Sequence, residues 1–462
     1  MDETRDLLRR TAELAADFLE SLDARPVFPH TTADELRTLL GGPLPEEPSD
    51  PRAVIEQLVA GAEPGVVAIP SGRYFGFVIG GSLPAALAAD WLTSAWDQNA
   101  GLYVGGPSAS VAEEVAGAWL KELLRIPDHA SYGFVTGCQM AHVTSLAAAR
   151  FHVLCAAGWD VNRDGLTGAP RVRSLVGAKV HVTVGRALRL LGLGEPTRLA
   201  ADDQGRLLPN ALRDALAAEG GPTIVCAQAG EVNTGAFDPL REIAELTRES
   251  GAWLHVDGAF GLWAAAAPRL AHLVDGSELA DSWATDAHKW LNVPYDSGIA
   301  FCAHPDAHRA AITVHADYLI HADEGAERDQ VDWTPEFSRR ARGFPVYAAL
   351  RSLGRRGVTE LVERCCAAAA RFGEQIADVP GVELLNDVVL NQVLFRFESN
   401  ERTDDVLRRV QEDGAVWMSG TTWDGRKAIR LSVSNWQTGD EEIDLALTAF
   451  RDAVYAGQAP AR

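Results

Sequence analysis

The 462-residue sequence has no hydrophobic run long enough to cross a membrane. A membrane-spanning helix needs about 20 apolar residues, and the longest apolar candidate, residues 258–267, is much shorter. The N-terminal segment MDETRDLLRR mixes acidic and basic residues and no apolar stretch follows it, so we expect no secretory signal. These absences argue against a membrane protein and predict a cytoplasmic location.

Basic residues are too few to balance the acidic ones. Lys and Arg together number 42 against 64 Asp and Glu, which leaves a formal net charge of −22. Because nucleic acids and anionic membrane surfaces attract positively charged proteins, this excess of acid argues against either as a partner. The hydrophobic fraction of 47% is typical of a globular protein, and the length predicts two or three domains.

Cysteine is sparse and shows no CxxC spacing. The six cysteines are scattered along the chain at positions 138, 155, 226, 302, 365 and 366. In a large chain without a secretory signal, we expect these thiols to be reduced and mostly buried.

The spacing of apolar residues predicts helices in the N-terminal part. Residues 2–23 place leucines and a phenylalanine at helical intervals, which indicates an amphipathic helix. Further helices are expected at 51–61 and 107–125. Ser110 and Glu113 have the S-x-x-E spacing of a capping box near the start of the 107–125 helix.

The middle of the chain alternates short apolar strands with helices. The predicted strands are 174–184, 222–229, 252–258, 282–287 and 298–303. The predicted helices are 138–157, 185–192, 208–218 and 238–250. This alternation is typical of an α/β domain around a largely parallel sheet. A smaller α+β domain is expected after it, with helices at 358–378, 402–413 and 439–455 and strands at 391–397 and 428–433.

Several polar residues fall near the ends of predicted strands, where open α/β sheets bind their ligands. His181 lies in the predicted strand 174–184, and Asp257 lies at the end of the predicted strand 252–258. Lys289 follows the predicted strand 282–287. A glycine turn at 137–139 enters the helix 138–157. Each has an ordinary structural explanation, because buried histidines are usually satisfied core residues and a strand-end Asp often caps a helix.

Together these residues meet the requirements of one cofactor. A helix N-terminus holds a phosphate through its free N–H groups, and a carboxylate keeps a pyridine nitrogen protonated. A lysine forms a Schiff base with an aldehyde, and an imidazole stacks on a flat ring. Pyridoxal phosphate needs all four, and it stabilises a carbanion at the Cα atom of an amino acid.

Five segments resemble the group II pyridoxal-phosphate decarboxylases, a family that includes the aromatic amino acid, histidine and glutamate decarboxylases. Residues 286–291 (DAHKWL) resemble the family's active-site segment, and 255–259 (HVDGA) resemble its HVDxA strand. Its histidine segment, the turn before the HVDxA strand and its N-terminal aromatic segment are similar to 180–184 (VHVTV), 235–240 (GAFDPL) and 71–77 (SGRYFGF). Order and spacing agree over most of the chain.

The resemblance implies decarboxylation of an L-amino acid and a role for each matching residue. Lys289 would form the Schiff base, Asp257 would pair with the pyridine nitrogen, and His181 would stack on the ring. Gly137, Cys138 and Gln139 would form the phosphate turn, and His288 would reach the phosphate or a reacting group. Ala259 would pack under the ring, and Asn233 would lie near the cofactor. Thr234 is an alternative to Asn233.

Aromatic residues in the matching segments are candidates for the substrate pocket. They are Tyr74, Phe75, Phe77 and Tyr103, and Trp333 and Trp423 are candidates for closing the site. Ordinary packing in the core or at an interface explains these aromatics equally well. Arg430 stands where related pyridoxal enzymes bind the substrate carboxylate, although in group II decarboxylases this arginine is more often structural.

One departure from the family pattern bears on phosphate binding and another on the reaction itself. The phosphate turn, commonly GGSxAN, is GCQMAH at 137–142. Many members carry a loop tyrosine that protonates the reacting carbon, but Gln330 stands near that position here. Because glutamine is not an acid, the proton comes from His321, His288 or a water, or else the carbanion reacts differently. The alternative reactions are oxidative decarboxylation-deamination, transamination and elimination.

The resemblance also implies the fold-type I architecture of pyridoxal-phosphate enzymes and a homodimer. An N-terminal helical segment at 1–84 would pack on the partner subunit. A large cofactor-binding α/β domain with a mostly parallel seven-stranded sheet would span 85–346. A smaller α+β domain would occupy 347–462.

A metal-dependent hydrolase is the alternative from another class. Imidazole, carboxylate and thiolate groups that would suit Zn or Mn are those of Cys138, His142, His255, Asp257, Asp286 and His288. A metal site leaves Lys289 without a role, as would a non-catalytic binding protein. We therefore expect pyridoxal phosphate and no metal.

Overall fold

The computed structural model describes residues 2–314 and 327–456. Its N-terminal segment forms the helices α1 (Asp2–Glu20), α2 (Ala33–Leu40) and α3 (Pro51–Ala62). Helices α1 and α3 confirm the predicted ones, whereas α2 was not predicted. A capping box starts α2, because the side chains of Thr32 and Glu35 each accept a hydrogen bond from the other residue's backbone N–H.

The capping box predicted for the next part of the chain is wrong. Two helices follow there, α4 (Pro84–Trp96) and α5 (Pro107–Leu124). Because α5 begins after Gly106, Ser110 and Glu113 lie inside it and are buried. Ser110 Oγ donates to the carbonyl of Arg328 (2.6 Å), and Glu113 forms an ion pair with Arg339 (2.7 Å). Both side chains therefore fasten α5 to the segment after residue 326.

The larger of the two sheets in the described residues has seven strands. Its strands are β1 (Ser131–Val135), β2 (Arg173–Gly177), β3 (Thr197–Leu199), β4 (Thr223–Gln228), β5 (Trp253–Asp257), β6 (Ser282–Asp286) and β7 (Gly298–Cys302). They are ordered β1-β7-β6-β5-β4-β2-β3. All neighbours from β6 to β3 are parallel, and β7 runs antiparallel to β6 and β1. The predicted mostly parallel sheet is confirmed.

Helices flank this sheet, and both of its faces are buried. The helices are α6 (Cys138–Ala156), α7 (Val161–Asp164), α8 (Val182–Leu190), α9 (Pro209–Ala218), α10 (Leu240–Ser250) and α11 (Pro305–Ile312). Ile224 and Cys226 of β4 pack in one hydrophobic cluster, whereas Val225 and Ala227 pack in another. Because successive residues face opposite layers, the strand is apolar throughout.

The strand predicted at 174–184 is wrong in its second half. Strand β2 ends at Gly177, and α8 begins at Val182. The alternating β-branched residues of 180–184 are typical of a strand, but His181 caps a helix there by accepting a hydrogen bond from the Thr183 N–H. His181 is therefore the first residue of a helical turn rather than part of the sheet.

The C-terminal part has the predicted α+β composition. Its elements are α12 (Gly343–Ile376), β8 (Val382–Leu384), β9 (Gln392–Phe397), α13 (Asn400–Asp413), β10 (Ser419–Trp423), β11 (Arg426–Ser432) and α14 (Asp440–Ala456). The strands form an antiparallel sheet in the order β10-β11-β9-β8. Helix α12 continues across the predicted domain boundary at 346 and kinks at Gly354 (φ 62°). The domain limits stay a prediction.

The thiols agree with the expectation from the sequence. All six cysteines are free, and Cys155 and Cys366 are the two that are not fully buried. In the part of the chain that the structure describes, no helix combines the length and the apolar character needed to span a bilayer.

Candidate active site

The predicted site residues meet at one edge of the central sheet. Asp257, the last residue of β5, pairs with Gln228 of β4 and Ala284 of β6. The backbone N–H of Cys138 at the start of α6 donates to Asp286 Oδ1 at the end of β6 (2.7 Å). These pairings bring the N-terminus of α6 to the carboxyl ends of β5 and β6, where open α/β sheets bind ligands.

The amine of Lys289 lies against the carboxylate that ends β6. Its Nζ atom is 3.1 Å from Asp286 Oδ2, and only 20% of the side chain is exposed. Burial alone would lower the pKa of Lys289, but attraction to Asp286, and more weakly to Cys138 and Asp257, outweighs it and raises the pKa. The amine is therefore held as an ammonium in a largely closed pocket.

Asp257 is a buried carboxylate that stays ionised. Its Oδ1 accepts a hydrogen bond from the Ala259 N–H (3.1 Å), and its Oδ2 lies 3.5 Å from His142 Nε2. Burial acts to raise the pKa of Asp257, but His142, His181 and Lys289 together hold it well below the usual range. A permanent negative charge therefore stands at the base of the pocket.

His181 is fixed by the turn that starts α8. Its backbone N–H donates to Gln228 Oε1 (3.2 Å), and its Nδ1 lies 2.7 Å from Thr183 Oγ1. Burial lowers the pKa of His181, although the Asp257 charge acts in the opposite direction. The imidazole is therefore neutral at physiological pH, in electrostatic contact with both Asp257 and Lys289.

The turn before α6 has the close approaches expected of a binding cradle. A Cβ atom on Gly137 would lie 3.1 Å from His288 Cε1, so a larger residue would crowd that ring. The Gln139 Nε2 donates to the Thr183 carbonyl (3.2 Å), whereas its Oε1 is buried without a hydrogen-bond partner. Because Asp286 already occupies the Cys138 N–H, the next helix amide, that of Gln139, remains for a ligand.

His288 presents a hydrogen-bond donor to the same turn. Its Nδ1 accepts from the Ser297 N–H (3.2 Å), and its ring stacks on Tyr295 with 4.3 Å between centroids. Burial lowers the pKa of His288, so the ring is neutral and carries its hydrogen on Nε2. That N–H faces Asp286 Oδ1 at 3.6 Å.

Comparison with known proteins identifies the family. Residues 34–398 match the model described as the pyridoxal-dependent decarboxylase conserved domain. This chain belongs to that family. It is a pyridoxal-phosphate-dependent carboxy-lyase, and pyridoxal phosphate is its cofactor.

Relatives and solved structures extend over nearly the whole decarboxylase chain. The aromatic-L-amino-acid decarboxylase of Bacillus atrophaeus is 26% identical, with 96% of this chain and 93% of the relative covered. The enzyme of the same name from Mus musculus is 27% identical, with 97% and 98% covered. A crystal structure of Oryza sativa TDC with PLP and tryptamine has a TM-score of 0.93 at 22% identity, covering 99% and 98% of the two chains. This last likeness establishes the fold.

The decarboxylase pocket has the groups that pyridoxal phosphate requires. It holds an amine for the aldehyde, an ionised carboxylate for the ring nitrogen, a neutral imidazole for the ring face and a helix N-terminus for the phosphate. Ala259 links the two acids, because its N–H bonds to Asp257 and its carbonyl accepts from the Asp286 N–H (3.0 Å). The residues present therefore fit the cofactor.

Other predicted cofactor and carboxylate contacts have partners of their own. Asn233 is bonded through its amide to Glu231 Oε1 (2.9 Å) and Thr421 Oγ1 (2.9 Å). Arg430 donates from Nη1 to the Val232 carbonyl (3.1 Å), which supports its structural interpretation, while its Nε is buried without a partner. The cofactor role of Asn233 stays a prediction.

The predicted substrate aromatics divide into two groups. Phe75 is fully buried in the main core, and Tyr103 is half-buried with its N–H bonded to Asp329. Tyr74 and Phe77 surround Trp417, with ring centroids 5.2 and 5.8 Å away, and Phe77 is 54% exposed. Their roles towards substrate stay predictions.

The groups considered for protonation and closure lie elsewhere or beyond the described residues. The Gln330 amide is buried between Ser110 Oγ and the Arg328 guanidinium. Trp333 packs edge-on against His308, and Trp423 is buried in the C-terminal domain. His321 lies outside the described residues.

One set of side chains in the described ranges could hold a metal ion. Ligand atoms of Cys138, His142 and Asp257 all lie within 4.8 Å of one another. His255 is not available to join them, because its two ring nitrogens bond to His142 and Ser282. From the sequence, His142 was predicted only as a possible metal ligand. Its i,i+4 spacing from Cys138 on α6 puts both side chains on the same face of the helix, which is how the sequence indicated that His142 lies near the site.

Proposed function

We propose that this enzyme decarboxylates an aromatic L-amino acid and carries its cofactor on Lys289. The observation that carries the proposal is that Lys289, Asp257 and His181 converge at the carboxyl ends of neighbouring strands. Lys289 contacts Asp286 at the end of β6, Asp257 ends β5, and the His181 N–H bonds to Gln228 at the end of β4. Support for an aromatic substrate comes from the relatives, which are named aromatic-L-amino-acid, tyrosine and tryptophan decarboxylases.

The protein's own groups have distinct tasks in this proposal. Bound pyridoxal phosphate supplies an electron sink for the carbon that loses CO2. Asp257 holds a negative charge where the ring nitrogen would lie and so keeps a proton on that nitrogen. His181 orients the ring from one face, and Lys289 Nζ gives up its proton to become the nucleophile, with Asp286 Oδ2 at 3.1 Å as the nearest acceptor.

The aromatic substrate side chain would contact the segment around Tyr74 and Phe77. A Cβ atom on Gly80 would lie 1.8 Å from the Lys289 carbonyl, so this segment passes directly over the lysine. Phe77 stands in the left-handed region (φ 52°), which turns the chain at this point. Tyr74 and Phe77 form an aromatic surface with Trp417 in the residues just before Gly80, and ring stacking there would favour an aromatic substrate.

A second reaction, oxidative decarboxylation-deamination, is favoured by the missing loop tyrosine. The Gln330 amide cannot act as an acid, and the low pKa of His288 leaves that ring neutral. A relative from Rhodiola rosea, 26% identical, is named 4-hydroxyphenylacetaldehyde synthase. In this alternative, O2 takes two electrons and two protons to form hydrogen peroxide, and water releases the aldehyde and ammonia.

A product panel separates these reactions. The purified holoenzyme is incubated with aromatic, acidic and aliphatic L-amino acids, and CO2, amine, aldehyde, hydrogen peroxide and keto acid are measured. We expect CO2 and amine in equal amounts from aromatic substrates. Aldehyde with equimolar peroxide would establish the oxidative alternative, and keto acid without CO2 would overturn decarboxylation in favour of transamination.

We also propose a cytoplasmic homodimer. An apolar groove of about 830 Å³ runs between α1, α3 and α4, and Phe18, Leu58 and Trp91 line it. Several of its apolar side chains are exposed, Trp91 by 44%, and a second copy of the chain would cover them.

Light scattering tests the dimer and should give twice the 49.6 kDa chain mass. Trp91→Glu should weaken the dimer, whereas the exposed control Leu44→Glu should not. A monomeric wild type would contradict the proposal.

A further inference from the structure

A chain of buried polar side chains leads from Asp257 into the protein core. We call it the His142 chain. Its contacts are Trp253 Nε1 to Ser282 Oγ (2.9 Å), Ser282 Oγ to His255 Nδ1 (2.9 Å), His255 Nε2 to His142 Nδ1 (2.9 Å) and His142 Nε2 to Asp257 Oδ2 (3.5 Å). All of these residues are at most 5% exposed. The chain joins α6, β5 and β6 behind the candidate site.

The positions of the hydrogens follow from the chemistry of the two ends. An ionised Asp257 only accepts, so His142 must carry a hydrogen on Nε2. Burial lowers the pKa of His255 to about 3, so His255 is neutral and has one N–H. If His142 is neutral, Ser282 donates to His255 and His255 donates to His142. If His142 is charged, both bonds reverse, and its Nε2–H still faces Asp257.

Both arrangements therefore direct a hydrogen at the same carboxylate oxygen. His142 Nε2 has no hydrogen-bond partner among the described residues, and its 3.5 Å contact with Asp257 is the polar contact that remains to it. A buried carboxylate without such a neighbour would tend to take up a proton and lose its charge. His142 is thus one of the groups, with His181 and Lys289, that protect the ionised form of Asp257.

The residue type at this position has a chemical consequence. Position 142, at the end of GCQMAH, carries an imidazole. An amide side chain carries no positive charge at any pH, whereas an imidazole is positively charged when both of its ring nitrogens are protonated. An amide side chain also lacks the second ring nitrogen that ties His142 to His255.

We propose that His142 is a positioning residue that keeps Asp257 ionised towards the cofactor's ring nitrogen, and that His255 and Ser282 orient it. The inference rests on the proposed placement of Asp257 at that nitrogen. His142 itself touches neither substrate nor the reacting carbon in this proposal. It acts through the carboxylate, so its effect depends on whether the bound ring has a nitrogen.

The test compares two ligands that differ at a single ring atom. Full-length protein is freed of cofactor and titrated with pyridoxal phosphate and with its analogue in which C–H replaces the ring nitrogen. The variants are His142→Asn and Ser282→Ala, and the control is His129→Asn, the same change at an exposed histidine outside the His142 chain. Circular dichroism checks that each variant folds.

We expect His142→Asn to weaken pyridoxal-phosphate binding roughly tenfold, because the 3.5 Å electrostatic contact of the imidazole with the Asp257 carboxylate is lost. Binding of the C–H analogue should change by less than about twofold, because its ring has no proton for Asp257 to hold. Ser282→Ala should show the same selectivity with a smaller loss. The control should leave both affinities unchanged.

The outcomes separate this inference from the function on which it rests. An equal loss for both ligands would overturn the role of His142 and leave the proposed function intact. If wild-type protein binds both ligands equally, Asp257 does not face the ring nitrogen, and the placement itself fails. Stoichiometric zinc in the purified protein would also overturn the inference, because Cys138, His142 and Asp257 would then be ligands.

Discussion

At the residue scale, the Asp286 carboxylate accepts from two donors, an ammonium and a helix amide, that lie where the cofactor would bind. Its Oδ2 holds the Lys289 ammonium at 3.1 Å, and its Oδ1 accepts from the Cys138 N–H at 2.7 Å. The first contact keeps the amine protonated and therefore not nucleophilic. The second occupies the Cys138 N–H, so the Gln139 N–H is the amide of this turn that is left for the phosphate.

Replacing this acid should make Lys289 a better nucleophile near neutral pH. In Asp286→Asn the attraction that raises the pKa of Lys289 is lost, so burial outweighs the remaining attraction and the pKa falls. The pH profile for cofactor incorporation into full-length protein, followed by absorbance, should move to lower pH. Asp275→Asn, at a surface ion pair with Arg241, is the control. A profile that stays in place would contradict this account of Asp286.

At the element scale, His181 is both the start of α8 and a wall of the pocket. Its Nδ1 accepts at the helix N-terminus, so the ring orientation is set by the cap. Asparagine is among the best N-cap residues, whereas alanine is poor. Two substitutions at this position can therefore separate the structural task from the task at the cofactor.

We expect His181→Ala to lose about 1 kcal/mol of unfolding free energy together with activity. His181→Asn should retain the stability, because its side chain still caps α8, and should lose activity, because it has no ring to stack. Urea unfolding and CO2 release measure the two effects. Full activity in His181→Asn would show that stacking by His181 is not required.

The elements also show where prediction from the sequence succeeds and fails. Strands β4 to β7 are short apolar runs between turns, and their period and length were sufficient to predict them. The segment 180–184 has the same β-branched alternation, yet the cap at His181 makes it helical. Strand β1 was not predicted, because it is five residues long with Gly133 at its centre and its pairing partner β7 lies far along the chain.

The site was predictable to the extent that motifs carry it. Lys289, Asp257 and His181 stand in recognisable segments, and the sheet brings them to one edge. The contacts of His142 with His255 and of Asp286 with the start of α6 were not predictable, because they join elements more than 100 residues apart. Only the folded arrangement reveals which buried groups set the charges of the motif residues.

At the scale of the whole molecule, two opposite pKa shifts set a pH window of stability. The lowered pKa of Asp257 stabilises the fold above an unfolded carboxyl pKa of about 3.9, and this contribution is lost as the pH falls towards the folded value. The raised pKa of Lys289 stabilises the fold below about 10.4, and its contribution is lost as the pH rises through the folded value. Both contributions are complete near neutral pH.

Replacing Asp257 should make the free energy of unfolding less dependent on pH in the acid range. We expect the unfolding free energy of Asp257→Asn to depend less steeply on pH than that of wild type below about pH 4. Urea titrations across a pH series measure the slope, with the exposed Asp378→Asn as control. Equal acid slopes for wild type and Asp257→Asn would mean that the folded pKa of Asp257 is not lowered.

The central claim, that Lys289 carries the cofactor, is tested most directly by borohydride reduction of the holoenzyme followed by peptide mapping. The account predicts that the reduced cofactor is found on the peptide containing Lys289, and that Lys289→Ala shows neither label nor turnover, while the exposed control Lys427→Ala retains both. Label on another lysine, or undiminished turnover in Lys289→Ala, would contradict it.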